Sequence, residues 1–167
     1  MTKKILVLSD SHSSLWFMKD CIKSINPDAI VHLGDHFDDG EALQELFPNI
    51  AFFQVPGNCD RYRCPPDTPE ILTAAVCGVR LYMTHGHIHH VKMGTSLLCQ
   101  DARAAGVAAA LYGHTHIPYC QLLEDGLWLL NPGSAGSGGK TAGLIETDGS
   151  KITACRIIGA ADLEVYL

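Results

Sequence analysis

The chain has no apolar run approaching the ~20 residues that a membrane-spanning helix needs, and the four apolar residues following Lys4 are too few for the core of a secretory leader. The seven cysteines include no Cys-x-x-Cys pair, and their odd number argues for reduced thiols that mostly pack as small apolar groups. A cytoplasmic location is the expectation. Lys and Arg are few, 12 against 18 Asp and Glu, and they form no cluster. With a net charge of −6 there is no basic stripe for an extended nucleic-acid backbone. Linkers, internal repeats and low-complexity segments are also missing. A length of 167 residues with 47% apolar content is enough for one domain, 1–167, with a full core.

What the chain does contain is a recurring junction. Short apolar runs end abruptly in residues that ligate metals: Ile5 to Leu8 before Asp10 and His12, Ala29 to Leu33 before Asp35, and Phe52 to Val55 before Asn58. The same holds for Leu81 to Met83 before His85, and for Ala108 to Tyr112 before His114 and His116. Each run is short and aliphatic, the pattern of a strand buried on both faces. Sites in open α/β sheets form just beyond the carboxyl ends of strands. The expectation is therefore one chemistry repeated along one edge of one sheet.

Between the runs lie helical patterns. Ser13 or Ser14 can cap a helix carrying Leu15, Met18, Ile22 and Ile25 on one face and stopping at Pro27. A second helix is expected from Asp38 or Asp39, with Ala42, Leu43, Leu46 and Phe47 inward, ending before Pro48. Residues 61–69 read as a proline-rich loop. Ile71 to Val76 and Val79 to Thr84 read as a hairpin about Cys77-Gly78. A third helix is expected from a Thr95-Ser96 cap to Gly106. The second half changes character, with strands at Tyr119 to Leu123, Gly126 to Leu130, Ala142 to Glu146 and Lys151 to Ile157, and turns at Glu124-Asp125-Gly126 and Asp148-Gly149. A βαβ beginning with a meander end suggests two packed sheets with helices outside.

Asp10, His12, Asp35, Asn58, His85, His114 and His116 are too many ligands for one zinc ion and suit two ions sharing a carboxylate. In extended backbone, residues i and i+2 point the same way, so Asp-x-His and His-x-His can chelate one ion or straddle two. Two divalent ions bring about four positive charges; two aspartates cancel two and a bridging hydroxide a third. The remaining charge favours a phosphate anion, which makes a small phosphorylated substrate the expected partner. Mixed N/O ligation suits Mn²⁺, Fe²⁺, Co²⁺, Ni²⁺ or Zn²⁺, with Mn²⁺ the leading candidate, and a thiolate-free set disfavours structural zinc.

Asp10-Ser11-His12, Gly34-Asp35, Gly57-Asn58-Cys59-Asp60, Thr84-His85-Gly86-His87 and Gly113-His114-Thr115-His116 together resemble the motif series of calcineurin-like metallophosphoesterases, most closely the small phosphodiesterases of the YfcE type. Asn131-Pro132-Gly133-Ser134 resembles a late motif of that family. The resemblance implies an α/β fold, a β-sandwich of two mixed sheets flanked by helices (α/β/β/α). It implies that Asp10, His12 and His116 hold one metal, that Asn58, His85 and His114 hold the second, and that Asp35 bridges both. It implies hydrolysis of a phosphoester by in-line attack of a metal-bridging hydroxide, and makes a homodimer or larger assembly an expectation.

Many superfamily members carry His after the Asn, where it helps protonate the leaving oxygen; here that position is Cys59. A thiol with a pKa near 8.5 is a poorer cation than imidazolium. The expectation is a preference for diesters with good leaving groups, or recruitment of another acid such as His87 or Asp60. Asn58, Cys59, Asp60 and His87 are thus the catalytic candidates. The alternatives are a phosphomonoesterase, including a protein phosphatase, and a non-catalytic scaffold resembling the small retromer subunit. A nuclease finds little support in the acidic balance. Taken singly, Asp35 and Asn58 could be turn residues, Asp38 and Asp39 helix caps, His32 a core group, and His89 and His90 solvated loop. His36 could touch substrate, and Gly133 to Gly139 could offer backbone N–H groups to a phosphate.

Overall fold

Alternation along each strand decides the layers. In the computed structural model, which describes residues 1–136 and 138–166, β1 (Lys3–Leu8), β2 (Ala29–His32) and β3 (Ala51–Gln54) pair in parallel. Ser137 of the glycine-rich loop and the terminal Leu167 lie outside the described residues. β9 (Thr141–Thr147) and β10 (Ile152–Gly159) complete a five-stranded sheet of order β10-β9-β1-β2-β3. The second sheet, β4-β5-β6-β8-β7, contains β4 (Ile71–Val76), β5 (Val79–Thr84), β6 (Ala109–Leu111), β7 (Tyr119–Leu122) and β8 (Trp128–Asn131).

Ile5 and Val7 of β1 and Val31 of β2 meet Leu81 and Met83 of β5 and Leu111 of β6 in a buried layer between the sheets. The intervening residues Leu6, Leu8 and Ile30 face the other way, onto α1 (Trp16–Ile25) and α2 (Phe37–Leu46) through Phe17, Met18, Ile22 and Leu43. Tyr82 and Ala110 likewise turn out onto α3 (Ser96–Ala104) through Leu98 and Ala102. The central strands β1, β2 and β6 are covered on both faces, which is why they read as continuous apolar runs rather than alternating ones. Phe17 is fully buried, and its truncation to alanine would cost about 3–5 kcal/mol. The result is the α/β/β/α sandwich.

Several local expectations fail for identifiable reasons. The ligand-bearing strands are not in one sheet: β1, β2 and β3 belong to the first, β5 and β6 to the second. The hairpin β4–β5 starts a new sheet rather than extending the old one, and the carboxyl ends of β1 and β2 meet those of β5 and β6 at one rim. Ser13 and Ser14 do not cap α1. Its N-cap is Leu15 without a side-chain bond, and the Ser13 hydroxyl pairs with His36 Nδ1 at 3.0 Å. Thr95 occupies the α3 N-cap without a side-chain bond. Leu46 is 53% exposed; the buried face of α2 is Phe37, Asp39, Gly40 and Leu43 instead. Gly40 lets that face come close, since a Cβ there would strike the Gln54 side chain of β3. Among the described residues, no helix is long and apolar enough to cross a membrane.

Candidate metal centre

Each expected ligand sits within a few residues of a strand's carboxyl end, where the chain turns sharply. Asp10, His12, Asp35, His114 and His116 all adopt left-handed backbone, with φ of 53, 45, 49, 68 and 61°. For residues other than glycine this costs of order 1 kcal/mol each and persists only where the surroundings over-determine it. Here Asp10 N–H donates to the Gly34 carbonyl at 2.9 Å, Ser11 N–H to Asp35 O at 3.0 Å, and Gly113 N–H to His85 O at 2.8 Å. These bonds tie neighbouring ligand loops together within each sheet, and His114 N–H to Asp10 Oδ2 at 3.1 Å and His85 Nδ1 to the Leu33 carbonyl at 2.7 Å join the two sheets. Two glycines permit the approach: a Cβ on Gly57 would collide with Asp35 Oδ1, and one on Gly113 with Ser9 Oγ.

The Asp10 carboxylate lies at the centre and is fully buried. Its Oδ2 accepts from Ser9 Oγ at 2.6 Å and from His114 N–H at 3.1 Å. Its Oδ1 accepts no hydrogen bond, yet lies 3.2 Å from His116 Nε2, 3.8 Å from His85 Nε2 and 4.0 Å from His12 Nε2. His85 is also fully buried, with Nδ1 donating to the Leu33 carbonyl at 2.7 Å. That bond leaves Nε2 as the nitrogen open to a metal and aims it at Asn58 Oδ1, 3.1 Å away, and Asp35 Oδ2, 3.4 Å away. An orphaned carboxylate oxygen and a ring nitrogen facing oxygen acceptors are the arrangement that a bound cation satisfies. The donor set of aspartate, imidazole and carboxamide fits a divalent ion of the Mn²⁺ to Zn²⁺ series.

Among the described residues, the expected ligands form two clusters of potential ligand atoms, Asp10 with His12 and His116, and Asp10 with Asp35 and His85, beside a third at His36, Asp38 and Asp39. The first is the set the motif resemblance assigns to one metal. Asp10 is common to both, whereas the resemblance gives the shared position to Asp35. Asn58 joins the second cluster through His85, and the His114 ring lies 5.1 Å from the His85 ring, centroid to centroid. Burial pushes the His85 imidazolium down, but its bond to Asp35 and the charges of Asp10 and Asp35 outweigh this and raise its pKa. Burial alone would raise the Asp35 carboxyl; the His85 partner and the Cys59 N–H hold it well below the usual carboxylate range. His114 is pushed down by burial and by the charge of His85.

A second ring of residues holds the ligands in place. Asp60 is fully buried and accepts three backbone N–H groups: Asp35 at 2.8 Å and Gly57 at 2.7 Å on Oδ2, and Phe37 at 2.9 Å on Oδ1. Facing inward with both oxygens occupied, it is suited to positioning Asp35 rather than delivering a proton. Asn131 donates to Gly113 O at 3.1 Å and Thr115 Oγ1 at 2.9 Å, clamping the turn that carries His114 and His116. Ser134 donates to the Asp10 carbonyl at 2.8 Å. Asp39 accepts Ser13 N–H at 2.8 Å, joining α2 to the loop after His12. His32 is buried against Ser11 Oγ at 3.0 Å, a core group as expected. Ser9 and Asp39 carried no sequence signal of this role, because their partners are Asp10 itself and a residue 26 positions away, whereas Ser134 stands in the Asn131–Ser134 motif.

The remaining catalytic candidates line the mouth. Asn58 and Cys59 are exposed, and Asn58 Nδ2 reaches Cys59 Sγ at 3.6 Å. Burial and the Asp35 charge push the Cys59 thiol up. His87 stands 5.5 Å from the His85 ring and pairs with Glu70 at 3.3 Å; burial and the His85 charge lower its pKa. His36 packs edge-on against His12 at 5.1 Å. An open groove of about 780 Å³ begins at Asn58 and His87 and runs along the 61–70 loop past Tyr62 and Pro65.

The chain is similar to known proteins in sequence and in fold. The family model described as the calcineurin-like phosphoesterase superfamily domain matches residues 4–150. A probable metallophosphoesterase of Mycoplasma pneumoniae is 31% identical over 136 residues, covering 78% of this chain and 78% of that protein. The chain belongs to the calcineurin-like phosphoesterase superfamily. Three solved structures share the fold. A predicted phosphoesterase of Streptococcus pneumoniae has a TM-score of 0.72 at 23% identity, covering 95% of this chain and 98% of that one. The vacuolar protein sorting 29 of Cryptosporidium parvum has a TM-score of 0.72 at 17% identity with the same coverage. The phosphoesterase YfcE of Escherichia coli has a TM-score of 0.59 at 21% identity, covering 92% and 98%.

Proposed function

We propose that this chain hydrolyses a small phosphate diester with two divalent metal ions, Mn²⁺ foremost. One observation supports the reading: His12, His85 and His116 lie within 4.0 Å of one buried, hydrogen-bond-deficient Asp10 oxygen, and Asn58 and Asp35 lie 3.1 and 3.4 Å from the oriented His85 Nε2. When bound, the ions would supply positive charge to the phosphate and acidify the water that attacks phosphorus in line. Asp10, His12 and His116 would hold one ion; Asn58, His85 and His114 the other; Asp35 or Asp10 would be shared.

The chain's own groups supply orientation and control of the leaving oxygen. The Asn58 carboxamide, exposed at the mouth, can offer Nδ2 to a phosphate oxygen. Cys59, pushed up by burial and Asp35, stays a neutral thiol and donates a proton poorly, which favours esters with good leaving groups. With Asp60 saturated by backbone donors, His87 is the candidate that remains to meet the departing group. A net charge of −6 agrees with a small phosphorylated substrate rather than a long polynucleotide. Cytoplasmic location and homo-oligomeric assembly belong to the same proposal.

A scaffold reading draws support from the shared fold of vacuolar protein sorting 29, but it leaves the intact donor set without a purpose. Metal-stripped protein reconstituted with Mn²⁺, Ni²⁺, Zn²⁺ or Mg²⁺, and assayed on bis(p-nitrophenyl) phosphate beside p-nitrophenyl phosphate, separates the readings. Diester turnover supports the proposal. Turnover of the monoester alone overturns it, and two bound metals with neither activity establishes the scaffold.

A further inference from the structure

We propose that Cys120 and Cys155 form a peroxide-oxidisable pair that closes into a disulfide joining the two sheets. Cys120 lies on β7 and Cys155 on β10, the edge strands of the two sheets, which touch each other. The residues are 35 positions apart, and their sulfurs share a hydrogen bond with Sγ–Sγ at 3.3 Å. Both are reduced and half-buried, packed against the apolar layer between the sheets. Register fixes this facing: Cys120 stands opposite Leu130 of β8, and Cys155 opposite Ile145 of β9, both in that layer.

Sulfurs at 3.3 Å need to approach by only about 1.2 Å to reach disulfide length. The hydrogen bond that the two sulfurs share favours a thiolate on Cys120, while that bond and burial disfavour a second one on Cys155. The Cys120 thiolate attacks one oxygen of hydrogen peroxide, the O–O bond breaks, and Cys120 sulfenic acid and water form once a proton is taken up. Cys155 sulfur then attacks the Cys120 sulfur. The S–S bond forms, the S–O bond breaks, and the departing hydroxide leaves as water with the Cys155 proton. In sum, two thiols and one peroxide give one disulfide and two waters.

The bond would act on the half of the molecule that carries the histidine turn. Tyr119, next to Cys120, is opposite Asn131, which clamps Gly113 and Thr115. A cross-link closing a loop of this length should raise the melting temperature by about 5–10 °C.

The test treats the whole protein with a few equivalents of hydrogen peroxide, alkylates remaining thiols after unfolding, and maps non-reduced peptides by mass spectrometry. The expected result is the Cys120 and Cys155 peptides joined, two hydrogens lighter than their sum and separated by reductant, with a higher melting temperature. Cys120→Ser and Cys155→Ser should each remove both the joined peptide and the thermal shift. Recovery of both residues as alkylated thiols, or of Cys120 over-oxidised without the joined peptide, would overturn the proposal.

Discussion

Replacing Asp60 by alanine removes the acceptor for three backbone N–H groups at once, on Asp35, Gly57 and Phe37. All three bonds are buried. An orphaned buried donor costs about 1–3 kcal/mol, and with partial relaxation the three together should cost about 3–5 kcal/mol. That is a large share of a typical stability of about 5–15 kcal/mol. With a urea m-value of roughly 2 kcal/mol/M, the midpoint should fall by about 2 M. Asp60→Asn provides a graded control. Its carbonyl oxygen can still accept from Asp35 and Gly57 on the Oδ2 side, while its amide nitrogen faces the Phe37 N–H. It should lose one bond of three, about 1–3 kcal/mol. Metal affinity should fall in the same order, because Asp35 loses the bond that holds its backbone in the left-handed conformation. Equilibrium urea unfolding and calorimetric metal titration read both effects. Asp60→Ala with unchanged midpoint and metal affinity but lost turnover would refute the positioning role and restore Asp60 as a proton donor.

Further outcomes follow from the same geometry. Asn131→Ala leaves the Gly113–Thr115 turn without its clamp and should weaken metal binding through His114 and His116 by at least tenfold, read by calorimetry, with a stability loss of about 2–3 kcal/mol in urea unfolding. His85 has a raised pKa in the folded chain, so its contribution to the stability of stripped protein is full below the unfolded value of about 6.5 and is lost as pH rises through the folded value. Metal needs the neutral ring, so affinity should climb with pH through that window and binding at neutral pH should release protons; calorimetry in buffers of different ionisation enthalpy would detect it. Cys59→His should flatten the dependence of turnover on leaving-group pKa in a series of aryl diesters. An unchanged dependence would remove that position from the account.

The candidate ligands were legible as a group because they obey a local rule: each follows the end of a strand within a few residues, where the chain turns. Asp10, His85 and His114 could be placed from that alone. The distribution of strands between sheets could not, because β4 and β5 read alike whether they extend the first sheet or found a second. Only long-range pairing, such as Leu81 with Ala109, decides it. Helix starts were misread for a related reason: Ser13 and Asp39 can cap α1 and α2 locally, but tertiary partners, His36 for one and Ser13 N–H for the other, claim them. Leu46 faces solvent because α2 turns Gly40 and Leu43 toward the sheet. Asp60 showed itself only as a motif neighbour of Asn58; its three bonds are a fact of folding.

Anomalous diffraction from crystals equilibrated with Mn²⁺ tests the central claim most directly. Two peaks roughly 3.5–4 Å apart are expected, one against Asp10, His12 and His116 and the other against Asn58, His85 and His114. A single peak, or manganese bound elsewhere with the Asp10 carboxylate bare, would contradict it.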